Sequence, residues 1–198
     1  MRKIQFKLSL IAIAIIVIFA LNGCADSPIS GYTKFKNETL GFSIDMPEGW
    51  NILENYMGVT VASISPSDGP DDDYRENVSV FIELIPDTLN LVQYYQTNIT
   101  RINQFSVDYK EIGNGDTKIN DLEVKWLLYS YSMGEQKIKV LSYILIKGKF
   151  GLSINCSAVS DKFPGYQKDF EKIGHSFNFE RVKMQLRIDT SKTDKQNP

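Results

Sequence analysis

Two long segments in the second half of the chain are apolar on both faces at once, and this limits the folds open to it more than any other feature. Within Leu122–Ser132, Val124, Trp126 and Leu128 occupy one side of an alternating strand. Leu127, Tyr129 and Tyr131 occupy the other. Gln136–Lys147 repeats the pattern, with Ile138, Val140, Ile144 and Ile146 opposed to Leu141, Tyr143 and Leu145. Side chains alternate across a strand, so a sheet built from such segments exposes two apolar surfaces and both must be covered.

Two helical stripes are available to cover them. Val92, Tyr95, Ile99 and Ile102 recur at steps of three and four after Pro86-Asp87. Phe163, Tyr166, Phe170, Ile173 and Phe177 do the same in a helix opened by Ser160 and Asp161. The remaining segments read as strands: a hairpin from Thr33–Lys36 and Phe42–Met46, a stretch Val59–Ile64, and a strand Val78–Leu84. A meander follows, with Phe105–Ile112, a turn at Asn114-Gly115, Leu122–Ser132, a turn at Met133-Gly134, Gln136–Lys147, a turn at Gly148, and Phe150–Ala158. One helix per face gives an α+β fold, a three-layer α/β/α sandwich around a central antiparallel sheet. The tyrosines are then either covered by the helices, or Tyr129, Tyr131 and Tyr143 line an open groove for a ligand or partner.

The amino-terminal segment has a different composition. Arg2, Lys3 and Lys7 precede an apolar run from Leu8 to Leu21 interrupted only by Ser9. Such a run makes roughly 20 Å of helix against the ~30 Å hydrocarbon core of a bilayer, which suits a signal peptide over residues 1–23. It ends in Leu21-Asn22-Gly23-Cys24, which resembles the lipobox of bacterial lipoproteins, with Asn22 departing from the usual small or aliphatic residue. That resemblance implies cleavage before Cys24 and acyl chains on the Cys24 thiol and the new amino terminus, a lasting attachment to the membrane. Residues 24–31 then form a short tether, 32–180 the folded domain, and 181–198 a tail. In the tail Val182, Met184, Leu186 and Ile188 alternate, as an edge strand would, ahead of a polar, disordered end.

With 198 residues, 42% hydrophobic content and a net charge of −2, the chain holds one globular domain and lacks the basic excess of a nucleic-acid binder. Spending Cys24 on lipid leaves Cys156 unpaired, either as a core thiol beside Leu152 and Ile154 or as a reactive one. His175 is the only histidine, and no Gly-x-Ser-x-Gly, Walker or Cys-x-x-Cys motif accompanies it. No cofactor is implied. Asp68, Asp71, Asp72 and Asp73 offer oxygen ligands to a cation such as calcium, although their Gly-Pro-Asp context equally suits a solvated loop.

The segment Asn37 to Trp50, with Gly41-Phe42-Ser43-Ile44-Asp45-Met46-Pro47-Glu48-Gly49-Trp50 after an aromatic Tyr32, resembles the opening of PsbP-like domains. The strand Gly151–Ala158 and the following helix to Ile173 and Ser176-Phe177 are similar to that family's close. The resemblance implies a central antiparallel sheet with helices on both faces. It implies no active site. The expected role is a non-catalytic binding or accessory module, anchored to the membrane and facing a protein or envelope partner; a carrier of a small apolar ligand and an enzyme with an unrecognised site are the alternatives.

Overall fold

The computed structural model describes residues 27–179, so Cys24, the signal peptide and the tail beyond Phe179 lie outside the described residues. Ten strands and two helices follow in the order β1 (Tyr32–Asn37), β2 (Phe42–Pro47), β3 (Asn51–Tyr56), β4 (Val59–Ile64), β5 (Asn77–Leu84) and α1 (Leu91–Phe105). After these come β6 (Val107–Ile119), β7 (Leu122–Met133), β8 (Gln136–Lys147), β9 (Phe150–Val159), α2 (Phe163–Ser176) and β10 (Asn178–Phe179). They form two antiparallel sheets. The larger has seven strands in the order β3-β4-β5-β9-β8-β7-β6, and the smaller has three in the order β1-β2-β10. The single central sheet expected from periodicity is corrected in this respect: the opening hairpin stands apart and takes β10 as its third strand.

The two-faced strands explain the packing. Ile138, Val140 and Ile144 of β8 and Leu127 and Tyr129 of β7 meet Tyr94 and Tyr95 of α1 in one core. Leu141, Tyr143 and Leu145 of β8, with Leu152, Ile154 and Cys156 of β9, meet Phe163, Phe170 and Ile173 of α2 in another. The small sheet shares this second core through Phe42, Ile44 and Met46. Burial of side chains such as Phe42, Phe163 and Phe170, all 0–1% exposed, contributes on the order of 2–3 kcal/mol apiece.

Helix α1 begins later than Pro86-Asp87 suggests, because Asn90 supplies a better cap. The Gln93 N–H donates to Asn90 Oδ1 at 3.0 Å and the Asn90 N–H donates to Gln93 Oε1 at 3.0 Å, a reciprocal capping box. Its buried stripe is also rotated. Val92 is 55% exposed, and Tyr94 takes the core place beside Tyr95. Tyr94 fits there because Gly151 of β9 offers no Cβ beneath its ring. Helix α2 starts at Phe163 rather than at Ser160; Lys162 is the cap residue, makes no side-chain capping bond, and a proline follows in the first turn.

The Asn114-Gly115 turn is absent. Both residues lie inside β6, paired with Leu127 and Trp126, and the chain reverses at Asn120-Asp121 instead. Asn120 takes φ 52°, a left-handed value that asparagine tolerates, and its Nδ2 donates to the Phe177 carbonyl at 3.0 Å. The glycines serve packing rather than turning: the Trp126 indole lies across Gly113 and Gly115, where a Cβ at 115 would press on the ring. Strand β3 was not legible from alternation, since nearly all of it is exposed and carries Asn51, Glu54 and Asn55.

Nine of the ten tyrosines have hydroxyls held above the ordinary phenol range, with burial as the leading cause in each case. Tyr95 and Tyr166 are pushed up to about 12. A raised folded-state value stabilises the fold fully below the unfolded value near 10 and is lost as pH climbs through the folded one. The domain is therefore expected to keep its stability up to about pH 10 and lose it steeply between about pH 10 and 12. Most of the tyrosinate absorbance should rise in one cooperative step coincident with loss of circular dichroism. A gradual titration centred near the free phenol value, with the fold intact, would contradict this burial.

Candidate functional site

The sequence-selected tyrosines do not share one face. Tyr129 pairs with Val140 and points toward α1, while Tyr143 pairs with Trp126 and points toward α2. Tyr129 and Tyr131 continue a row with Tyr109, with centroid separations of 6.4 and 5.7 Å, and α1 lies over this side of the sheet. Tyr74 joins the same layer and donates to Ser157 Oγ at 2.7 Å. Tyr143 is 3% exposed under α2. Of the two alternatives, helical cover holds for Tyr129 and Tyr143, while Tyr131 is half-buried, and the three do not line one groove.

A groove does exist, beside α2 rather than over the tyrosine row. Helix α2 packs on β8 and β9 and reaches β6, but covers little of β7 between them, leaving Trp126 and Leu128 half-buried. The opening holds about 310 Å³. Its sheet wall is Thr117, Trp126, Leu128, Leu141 and Tyr143, and its helix wall is Phe163, Gln167, Glu171 and His175. The helix residues recur every four positions, so they form one row along the flank that faces the gap. Gln167 Nε2 donates to Glu171 Oε1 at 3.0 Å, and the His175 ring meets the Tyr143 ring edge-on at 5.5 Å.

Gly174 brings the helix this close. A Cβ at that position would enter the Tyr143 ring, so glycine lets the ring slide beneath the last turn of α2. Burial then raises the Tyr143 hydroxyl and keeps it a neutral phenol. Asp116 borders the opening too, but its carboxylate turns to the α1 side, where Lys125 Nζ donates to Oδ1 at 2.6 Å and also sits 5.5 Å from the Tyr95 ring centre. The result is an apolar floor of tryptophan, leucine and tyrosine with a rim of amide, carboxylate and imidazole. Such a surface holds an apolar side chain while bonding the polar groups around it.

The Asp68–Asp73 loop is held by its own contacts. Lys162 Nζ donates to Asp68 Oδ2 at 2.6 Å, the Asp68 N–H donates to Asp72 Oδ2 at 3.0 Å, and Asp71 and Asp73 are exposed. The four carboxylates do not converge. Among the described residues no three His, Cys, Asp or Glu side chains are grouped to hold a metal ion. Cys156 is fully buried with its Sγ 3.9 Å from the Phe170 carbonyl, and burial raises its thiol well above the ordinary range. A thiol held protonated in the core is a poor nucleophile.

Sequence reasoning passed over Trp126 and His175 as site residues. The usable signal was the pair of glycines two apart in a strand, opposite a tryptophan, together with a polar row beside the apolar row of α2.

This architecture has solved counterparts. A cyanobacterial PsbP from Synechocystis sp. PCC 6803 superposes with a TM-score of 0.58 at 18% identity, over 81% of this chain and 99% of that one. It is the PsbP-like fold. LpqN of Mycobacterium tuberculosis, described as involved in cell envelope biogenesis, gives 0.60 at 14% identity over 76% of this chain and 91% of that one. The Ran-binding protein Mog1p of Saccharomyces cerevisiae gives 0.52 at 7% identity over 75% and 95%. No family model matches the sequence, and no curated protein matches it by sequence comparison. At these identities the likeness speaks for the fold alone.

Proposed function

We propose that this chain is a non-catalytic binding or accessory module of the cell envelope, held on the outer face of the membrane by a lipid on Cys24 after removal of its signal peptide. The layers read as an α/β/α sandwich whose second helical layer is shared with the small sheet. The observation that carries the function is the uncovered floor at Trp126 and Leu128, bounded by Gln167, Glu171 and His175. An aromatic anchor point with a polar rim suits a protein segment that inserts one large apolar side chain and bonds its flanking groups. The envelope role described for LpqN and the Ran-binding role described for Mog1p support a protein partner over a turnover substrate.

A photoreactive residue placed at Gln167 in native membranes is expected to yield a discrete protein adduct that disappears when Trp126→Ala is added. The same probe at Thr97, on the outer side of α1, should not give that adduct. Identical adducts from both positions, or an adduct indifferent to Trp126→Ala, would remove the groove from the account.

A further inference from the structure

The described part of the segment expected to be a short tether, residues 27–31, is packed onto the domain. Ser27 Oγ donates to Asp169 Oδ2 at 2.5 Å, and the Tyr32 hydroxyl donates to Asp169 Oδ1 at 2.5 Å. Ile29 is 6% exposed in the α2-side core, and the Gly31 carbonyl accepts the Glu48 N–H at 2.9 Å. Lys172 Nζ lies 3.9 Å from the centre of the Tyr32 ring. Asp169, buried on the flank of α2 opposite Gln167 and Glu171, therefore fixes the point at which the chain leaves the domain. Between Cys24 and Ser27 only Ala25 and Asp26 remain, and three residue steps span at most about 11 Å.

With a lipid on Cys24, so short a connection would not let the domain turn freely over a bilayer. The surface around the exit point carries four lysines, Lys34 and Lys36 on β1, on the same side of the strand as Tyr32, and Lys168 and Lys172 one turn apart on the outer side of α2, with Glu48 beside Gly31 and Glu171 as the exposed carboxylates among them. Lys34 also pairs with Asp45 at 3.1 Å. Helix α1 lies in the opposite layer, across the seven-stranded sheet.

We infer that the outer surface of α2 and β1 is a membrane-docking face whose lysines meet anionic phospholipid headgroups, with the α1 layer held away from the bilayer. This rests on the lipid anchor at Cys24 and adds the orientation that the anchor imposes. Positive side chains within a Debye length of an anionic leaflet are attracted to it, and the clamp at Asp169 keeps them within reach. The groove flank of α2 is left on the side away from the clamp, clear of the chain that leads to the lipid.

The test uses the full lipidated chain in vesicles of phosphatidylglycerol and phosphatidylcholine that carry an energy acceptor on their headgroups. A donor dye is attached at Lys36→Cys or at Gln96→Cys, and buried Cys156 stays unlabelled. Transfer from position 36 should exceed transfer from position 96 severalfold, and the excess should shrink in vesicles of phosphatidylcholine alone. Equal transfer from the two positions, or a larger value from 96, overturns the orientation. An excess unchanged without anionic lipid overturns the headgroup contact. A chain without residues 1–23 and carrying Cys24→Ser, run in parallel, separates the anchor from the docking face: it should leave the vesicles, and its full retention would contradict the anchor itself.

Discussion

Replacing Phe170 with alanine is expected to lower the unfolding free energy of the domain by about 4 kcal/mol. The ring is fully buried, stacks on Tyr166 at 5.4 Å and meets Phe163 edge-on at 5.7 Å. It lies at the centre of the α2 stripe, so its removal opens a cavity between helix and sheet that Ile154 and Cys156 cannot fill without moving strands. Urea denaturation should show a lower midpoint with an unchanged slope. A loss below about 1 kcal/mol would mean that α2 is not seated on this core as described.

The second large effect concerns Gly174, and here two principles oppose each other. Glycine inside a helix costs about 1 kcal/mol relative to alanine, so replacing it usually stabilises. At this position the Tyr143 ring occupies the place a Cβ needs, and rings under a packed helix have nowhere to go. Overpacking wins. Gly174→Val is expected to destabilise by about 3 kcal/mol, and Tyr143→Leu in the same chain should recover part of the loss. The two substitutions should be strongly non-additive in denaturation, because each touches the same contact. Additive losses would mean that helix and ring do not meet.

Both effects follow from packing that the sequence displayed only in part. The two-faced strands β7 and β8 were legible because alternation is a local property, and with them the demand for a cover on each face. The α2 stripe was legible for the same reason. What alternation cannot supply is the register between neighbouring strands, and so Tyr129 and Tyr143 were grouped although Tyr129 pairs with Val140 and Tyr143 with Trp126. Asn114-Gly115 has the composition of a turn, and only the Trp126 ring across the strand shows why the glycines are there. In α1, Val92 and Tyr94 both fit a helical stripe; the open space over Gly151, far away in sequence, gives the place to Tyr94.

The site was less legible than the fold for a related reason. The groove exists because α2 packs on β8, β9 and the small sheet's β2 and leaves β7 short of cover. No stretch of residues records it. Phe42, Ile44 and Met46 share the core under α2, and Trp126 and His175, more than seventy residues later in the chain, border the groove.

Hydrogen exchange compares the groove most directly in its two settings, the lipidated chain in its native membranes and the same chain purified in detergent. If a protein partner occupies the groove, amides of Thr117–Leu128 and Gln167–His175 should exchange more slowly in the membranes, while those on the outer turns of α1 stay the same. Equal exchange at the groove in both preparations, or slowing confined to α1, would contradict a binding module that works through this surface.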